Sequence, residues 1–166
     1  MLPVIYPGSF DPMTVGHVNI VRRASVLFGE VIVAVAQSRM KKPLFSLDER
    51  VAIARESTAD LPGVRVLAFD GLLKDFVLQQ GAGVIVRGIR SGVDFEHEYA
   101  LAGMNRCLAP SIETVFLPTD NDVRFVSATF VRELLLLGDV EAYDFLADAA
   151  KPRVKALIAA LKREPQ

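Results

Sequence analysis

Apolar runs separated by polar, glycine- and proline-rich joins divide the chain into an alternation of strands and helices. Leu2 to Tyr6 is short and mostly apolar and reads as a buried strand. Val18 to Phe28 carries Val18, Ile20, Val21, Ala24, Leu27 and Phe28 at helical spacing. Thr14 is a good N-cap for that helix and places Gly16 and His17 in its first turn. Glu30 to Ala36 is a second strand, nearly all apolar, as a strand covered on both faces should be. Ser46-Leu47-Asp48-Glu49 is a capping box, opening a helix that runs to about Thr58. Val64 to Phe69 is a third strand, and Leu72 to Gln80 a short helix stopped by Gly81. Gly83 to Val86 is a fourth strand, ending at Arg87-Gly88-Ile89-Arg90. Asp94 is the expected cap of a helix to about Leu108, and Glu113 to Leu117 a fifth strand. Pro118 to Arg124 is a polar loop; Ser127 caps a helix that ends at Leu137 before Gly138. Asp139 to Ala149 is expected to form another short helix, and Pro152 suits the first turn of a last one, to about Lys162.

This order implies right-handed βαβ units. The expected fold is a single α/β domain over residues 1–166: a Rossmann-like, doubly wound, five-stranded parallel sheet with helices on both faces and a C-terminal helical segment. Ligands of such sheets bind outside the carboxyl ends of the strands. The loops after Tyr6, Gln37, Phe69, Arg87 and Leu117 are therefore the informative ones.

Composition changes this picture little. Hydrophobic residues make up 51% and charged residues 23%, ordinary for a globular domain. A net charge of −1 gives no electrostatic reason to expect nucleic acid, so an anionic substrate must be met by locally placed bases. The single cysteine, Cys107, excludes an internal disulfide and points to a reduced, cytoplasmic setting; its helical, apolar context suggests a buried, inert thiol. The N-terminus lacks the charged lead of a signal peptide, and no apolar stretch approaches the length of a membrane span. A mean hydropathy of +0.32 is high for a small domain and hints at apolar surface buried between copies.

The densest candidate chemistry is Tyr6-Pro7-Gly8-Ser9-Phe10-Asp11-Pro12-Met13-Thr14-Val15-Gly16-His17. A strand end meets a helix start there, so free backbone N–H groups and the positive end of the helix dipole collect, with His17 beside them. The plainer reading is a tight turn with a surface histidine. The loop is neither G-x-G-x-x-G nor a P-loop. Arg87 and Arg90 flank Gly88 at a strand end, where a packed core has no use for them; guanidinium groups match phosphate, and glycine lets the backbone approach a ligand. Pairing with Asp94 or Glu96 is the structural alternative. His97, between two glutamates, reads as a solvated helix residue, and no metal-ligand spacing is present. Lys41 and Lys42 alone would be a solvated pair, and Leu73 alone plain core.

G-S-F-D-P followed by T-V-G-H resembles the (H/T)-x-G-H signature of the nucleotidyltransferase superfamily. Thr14 at the first motif position, the K-K-P loop and R-G-I-R narrow the resemblance to the phosphopantetheine adenylyltransferase family of coenzyme A biosynthesis. The match runs through nearly the whole chain in order, in four separated motifs. It implies reversible transfer of AMP from ATP to 4′-phosphopantetheine, giving dephospho-coenzyme A and pyrophosphate. It further implies catalytic roles for His17, which stabilises the transition state, for Lys41, which positions the attacking phosphate, and for Arg90. ATP would be held by Ser9, Phe10, His17, Gly88, Ile89, Arg90, Glu98 and the segment Val123, Arg124, Phe125, Val126, Ser127, Ala128, Thr129. That segment resembles I-S-S-(S/T)-x-(V/I)-(R/K), with Ala128 where a serine is usual. The acceptor would be held by Ser9, Lys41, Leu73 and Arg87. Mg²⁺ is expected on the ATP phosphates, with no protein ligands. The resemblance also implies a cytoplasmic homohexamer, with coenzyme A as a possible feedback ligand. Two other readings are a related enzyme that uses nicotinate mononucleotide or glycerol 3-phosphate, against which Thr14 speaks, and a non-catalytic adenine-nucleotide-binding module.

Overall fold

A computed structural model describes residues 2–37 and 43–163. Its strands are β1 (Val4–Gly8), β2 (Val31–Ala36), β3 (Val64–Phe69), β4 (Val84–Ile89) and β5 (Glu113–Pro118). They form one parallel sheet in the order β3-β2-β1-β4-β5. The helices are α1 (Val15–Phe28), α2 (Leu47–Ser57), α3 (Leu73–Gln79), α4 (Gly92–Leu108), α5 (Ala128–Leu137) and α6 (Lys151–Leu161). The doubly wound α/β architecture is the expected one.

Alternation along the strands divides the core in two. Val4, Tyr6, Val31, Val33, Val35 and Val86 pack under α1, α2, α5 and α6. Ile5, Ile32, Ala34 and Ile85 face the other way, onto Phe76 and Val77 of α3. Both faces of β2 are thus covered, which is why its sequence is continuously apolar.

The strand order reverses between β1 and β4, and pairing there is short. Only Val4 and Ile5 pair with Val84 and Ile85, whereas β1 pairs with β2 from Val4 to Gly8 and β4 with β5 along its whole length. The carboxyl ends of β1 and β4 therefore part, and a crevice opens at the topological switch point. Both strands run further than the apolar pattern suggested, to Gly8 and Ile89, because their outer ladders continue past it.

Three local expectations are corrected. Ser91, not Asp94, caps α4, its Oγ accepting from the Asp94 N–H at 3.2 Å. Residues 139–149 form two 3₁₀ turns, Glu141–Phe145 and Asp148–Ala150, rather than one helix. The backbone is extended at Leu146 and Ala147 between them, and this bend lets Leu146 and Ala150 both be buried. Cys107 is exposed, because α4 buries none of its residues within the chain. Among the described residues no helix is long and apolar enough to cross a membrane.

Candidate active site

Phe10, just past the end of β1, sets the shape of the first wall. Its φ of 46° is a conformation that residues with a Cβ rarely adopt. The ring folds back under Gly8, where an added Cβ would stand 2.8 Å from Cζ, so only glycine fits. It packs at 5.4 Å from the Tyr6 ring and edge-on, at 5.2 Å, against His17. His17 is thus supported from below by an apolar stack.

Thr14 opens α1 and orients His17. Its backbone N–H donates to His17 Nδ1 at 3.0 Å, and its Oγ1 lies 3.1 Å from the same nitrogen. A backbone N–H can only donate, so Nδ1 carries no proton and the neutral ring bears its hydrogen on Nε2. Burial, then the charges of Arg90 and Arg87, lower the His17 pKa to about 4. Near neutral pH the side chain is therefore an uncharged Nε2–H donor.

The second wall is the end of β4 and the first turns of α4. Arg87 donates from Nη1 to the Pro7 carbonyl at 2.7 Å and forms a two-point pair with Glu98 at 2.5 and 2.6 Å. Arg90 pairs with Asp94 at 2.9 and 3.2 Å and reaches the Val126 carbonyl at 3.4 Å. At Gly88, an added Cβ would stand 3.0 Å from Ile20 Cγ1, so glycine lets α1 close onto the strand.

The third wall is the N-terminus of α5. Ser127 caps it, accepting from the Phe130 N–H at 3.1 Å. The loop leading there is tied to α1: Asn19 Nδ2 donates to Asp120 at 2.6 Å, and Arg23 donates to the Pro118 carbonyl. Arg132, further along α5, pairs at 3.0 Å with the buried Asp11, which also accepts from the N–H groups of Leu44 and Phe45 at 2.8 and 3.0 Å. Arg50 completes this frame, fully buried and donating to the carbonyls of Phe45, Ser9 and Ala36 at 3.1, 2.7 and 2.9 Å.

These walls enclose a cavity of about 320 Å³. It brings together the expected Ser9, Phe10, His17, Arg87, Gly88, Arg90, Glu98, Val126, Ser127, Ala128 and Thr129. Ile89, Val123, Arg124 and Phe125 do not line it; Ile89 ends the β4–β5 ladder, and Phe125 stands exposed with Arg124 over its ring. Lys41 and its neighbour Lys42 lie outside the described residues. On the opposite face of the sheet a second, more apolar cavity of about 210 Å³ is lined by Leu73, Ile85, Leu101 and Asn105. Arg87 and Glu98 line both cavities and join them.

Sequence reasoning named Tyr6 and Asp11 only as members of the candidate loop, with no role, omitted Ile20, Asp94 and Thr119 from the cavity, and missed the pairing of Asp11 with Arg132 and the buried Arg50 behind it. Asp94 was legible only as a partner for an arginine. A buried arginine inside a helix leaves no pattern that separates it from a solvated one. The arrangement suits a polyanion: a neutral N–H donor, two guanidinium groups and a helix N-terminus converge, and no nucleophile–base pair is needed.

A family profile for cytidylyltransferase-like proteins matches residues 5–134. Phosphopantetheine adenylyltransferase of Cupriavidus taiwanensis is 54% identical over 146 residues, covering 87% of this chain and 91% of the relative. The protein of that name from Ralstonia pickettii is 55% identical over 146 residues, with 87% of each chain covered. That of Thiobacillus denitrificans is 56% identical over 138 residues, covering 83% and 86%. Among solved structures, a bifunctional NMN adenylyltransferase/ADP ribose pyrophosphatase from Francisella tularensis superposes with a TM-score of 0.73 at 14% identity, over 98% of this chain and 50% of that one. A lipopolysaccharide core biosynthesis protein from Thermoplasma volcanium gives a TM-score of 0.55 at 23% identity, over 73% and 99%. These two likenesses speak for the fold alone.

Proposed function

The chain belongs to the cytidylyltransferase-like family and, within it, to the phosphopantetheine adenylyltransferases, and from that premise we infer that it transfers AMP from ATP to 4′-phosphopantetheine, giving dephospho-coenzyme A and pyrophosphate. The observation that carries the reading is the pair of joined cavities. One is polar and lined by His17, Arg90 and Ser127; the other is apolar and lined by Leu73 and Leu101; Arg87 stands between them. A nucleotide with its phosphates suits the first. An acceptor with a phosphate on a long, weakly polar arm suits the second, its phosphate at Arg87.

In this reading an oxygen of the acceptor's phosphate attacks the α-phosphorus of ATP in line. The bond from that phosphorus to the bridging oxygen breaks, and pyrophosphate leaves with the electron pair. A phosphate is already anionic near neutral pH, so no strong general base is required. His17 Nε2–H donates to an α-phosphate oxygen as charge develops, and its neutrality avoids desolvating a cation in the buried site. Arg90 and the α5 N-terminus hold the nucleotide phosphates, and Ala128 offers its backbone N–H where a serine hydroxyl is usual. Arg87 and Leu73 hold the acceptor. Glu98 serves by fixing Arg87, with ATP contact as its second proposed role. Lys41 positions the attacking phosphate. Ile89 and the segment Val123 to Phe125 belong to the same proposal as supports of the nucleotide.

Mg²⁺ belongs to the nucleotide substrate. Mg²⁺ prefers phosphate oxygens and retained waters to an all-protein cage, so the ATP phosphates are its expected ligands. Bound there, it neutralises charge on the departing pyrophosphate.

Assembly into a cytoplasmic homohexamer, with coenzyme A as a product-like ligand of the joined cavities, is part of the same proposal. Val93, Met104 and Leu108 of α4 are 78%, 61% and 53% exposed and fall on one side of the helix, an apolar face that a single copy leaves uncovered.

The test is pyrophosphate release from ATP and Mg²⁺ with and without 4′-phosphopantetheine. Release only with that acceptor is expected. Release with nicotinate mononucleotide or glycerol 3-phosphate instead would overturn the acceptor, and ATP binding without release under any condition would favour a binding module.

A further inference from the structure

We propose that the Tyr6 hydroxyl is a further nucleotide-binding group, donating a hydrogen bond to a phosphate oxygen of ATP. The inference deepens the proposed function and rests on it.

Tyr6 is only 5% exposed, and it lines the polar cavity. Its Oη has no hydrogen-bond partner among the described residues, yet it is not among the polar atoms sealed from solvent. Apart from the His17 Nε2–H, already assigned to the α-phosphate, the buried or half-buried polar groups around it are engaged. Arg87 holds Pro7 and Glu98, His17 Nδ1 accepts from Thr14, and Ser127 caps α5. A hydroxyl that solvent still reaches can exchange its water for a phosphate oxygen, and the charged acceptor makes the stronger hydrogen bond.

The face of the sheet says which ligand it meets. Tyr6 packs with Phe10, Val18 and Ile20 in the cluster under α1, the side of His17. Ile5 and Ile85 belong to the opposite side, and the apolar cavity there, which would take the acceptor's arm, does not include Tyr6. The hydroxyl lies 3.7 Å from where a Cβ at position 88 would stand, so Gly88 keeps the space above it open. Burial raises the phenol pKa well above its ordinary value, so the group stays protonated as a donor across the working range.

Tyr6→Phe removes one oxygen and keeps the ring stack. The test measures ATP affinity by calorimetry with Mg²⁺, both Michaelis constants from pyrophosphate release, and the melting temperature. Loss of a neutral donor to a charged acceptor should weaken ATP binding and raise the KM for ATP by about 10-fold. The KM for 4′-phosphopantetheine and the melting temperature should not change. Unaltered ATP affinity overturns the inference. So does a rise confined to the acceptor's KM, or an equal loss for both substrates with a lower melting temperature, the mark of a structural role. The wild type judges the function separately: if it binds ATP but releases no pyrophosphate with 4′-phosphopantetheine, the reaction is wrong, and the ATP titration still decides Tyr6.

Discussion

Arg87 spans the gap between β1 and β4, donating from Nη1 to the Pro7 carbonyl at 2.7 Å. The ladder between those strands stops at Ile5 and Ile85, so this guanidinium satisfies a carbonyl that no strand neighbour on that side reaches. The same group holds Glu98 through two further nitrogens. The parting of the strands makes the site, and Arg87 fixes how far they part.

Arg87→Lys should therefore behave as more than a charge-conserving change. An ammonium carries its three donors on one nitrogen and cannot reproduce the planar fork whose separate nitrogens reach Pro7 and both Glu98 oxygens. A loss of roughly 10- to 100-fold in kcat/KM for the acceptor is expected, the scale of one or two charge-assisted hydrogen bonds. Steady-state kinetics with each substrate varied in turn would check it. An unchanged acceptor KM would deny Arg87 its place in that subsite.

His17→Ala should lower kcat by about 10²–10³-fold while leaving the fold intact, since it removes one preorganised donor. Pyrophosphate release and circular dichroism on the same preparation would test both halves. Turnover at the wild-type rate would remove His17 from the mechanism.

The depressed pKa of His17 also sets a pH dependence of stability. Folded, the ring titrates at about 4; unfolded, at the ordinary 6.5. Between those values the unfolded chain binds the proton more readily, so stability falls as pH drops from 6.5 towards 4 and the effect levels off below. Urea unfolding at several pH values should show a shallower slope for His17→Ala than for the wild type across this window. Parallel slopes would mean that the native ring titrates normally.

Gly8→Ala places a methyl carbon 2.8 Å from Phe10 Cζ, and that ring is buried and braced by Tyr6. Overpacking of this kind costs about 1–3 kcal/mol. Because Phe10 also supports His17, kcat should fall together with the melting temperature. A variant with wild-type stability would show that the ring moves aside freely.

Asp11→Ala leaves the N–H groups of Leu44 and Phe45 and the Arg132 guanidinium without their acceptor. Roughly 2–4 kcal/mol of destabilisation is expected, below the full cost of breaking a buried ion pair because Arg132 is partly solvated. Chemical denaturation measures it directly. A loss smaller than that of an ordinary surface substitution would show that water replaces the carboxylate.

Met104→Glu puts a charge into the exposed apolar face of α4. If copies of the chain cover that face, the assembly should dissociate to a smaller mass in light scattering, with α4 still helical. An unchanged mass would place the contact elsewhere.

Much of this was legible in the chain alone, for local reasons. Continuous apolar runs, the Ser46–Glu49 capping box, Ser127 before α5 and Gly138 after it are written in neighbouring residues, and the α/β alternation follows from them. So is the gathering of glycine, Thr14 and His17 at the start of α1. Tertiary structure decided the rest, because it depends on residues far apart in the chain. Asp94 serves Arg90 while Ser91 takes the cap. Arg50 and Asp11 are buried because distant carbonyls and N–H groups meet them there. Residues 139–149 bend into two 3₁₀ turns because burying Leu146 and Ala150 outweighs local helix preference. Above all, a linear pattern shows which strands exist but not where two of them stop pairing. The crevice between β1 and β4, which brings His17, Arg87, Arg90 and Tyr6 to one cavity, exists only once the sheet is assembled.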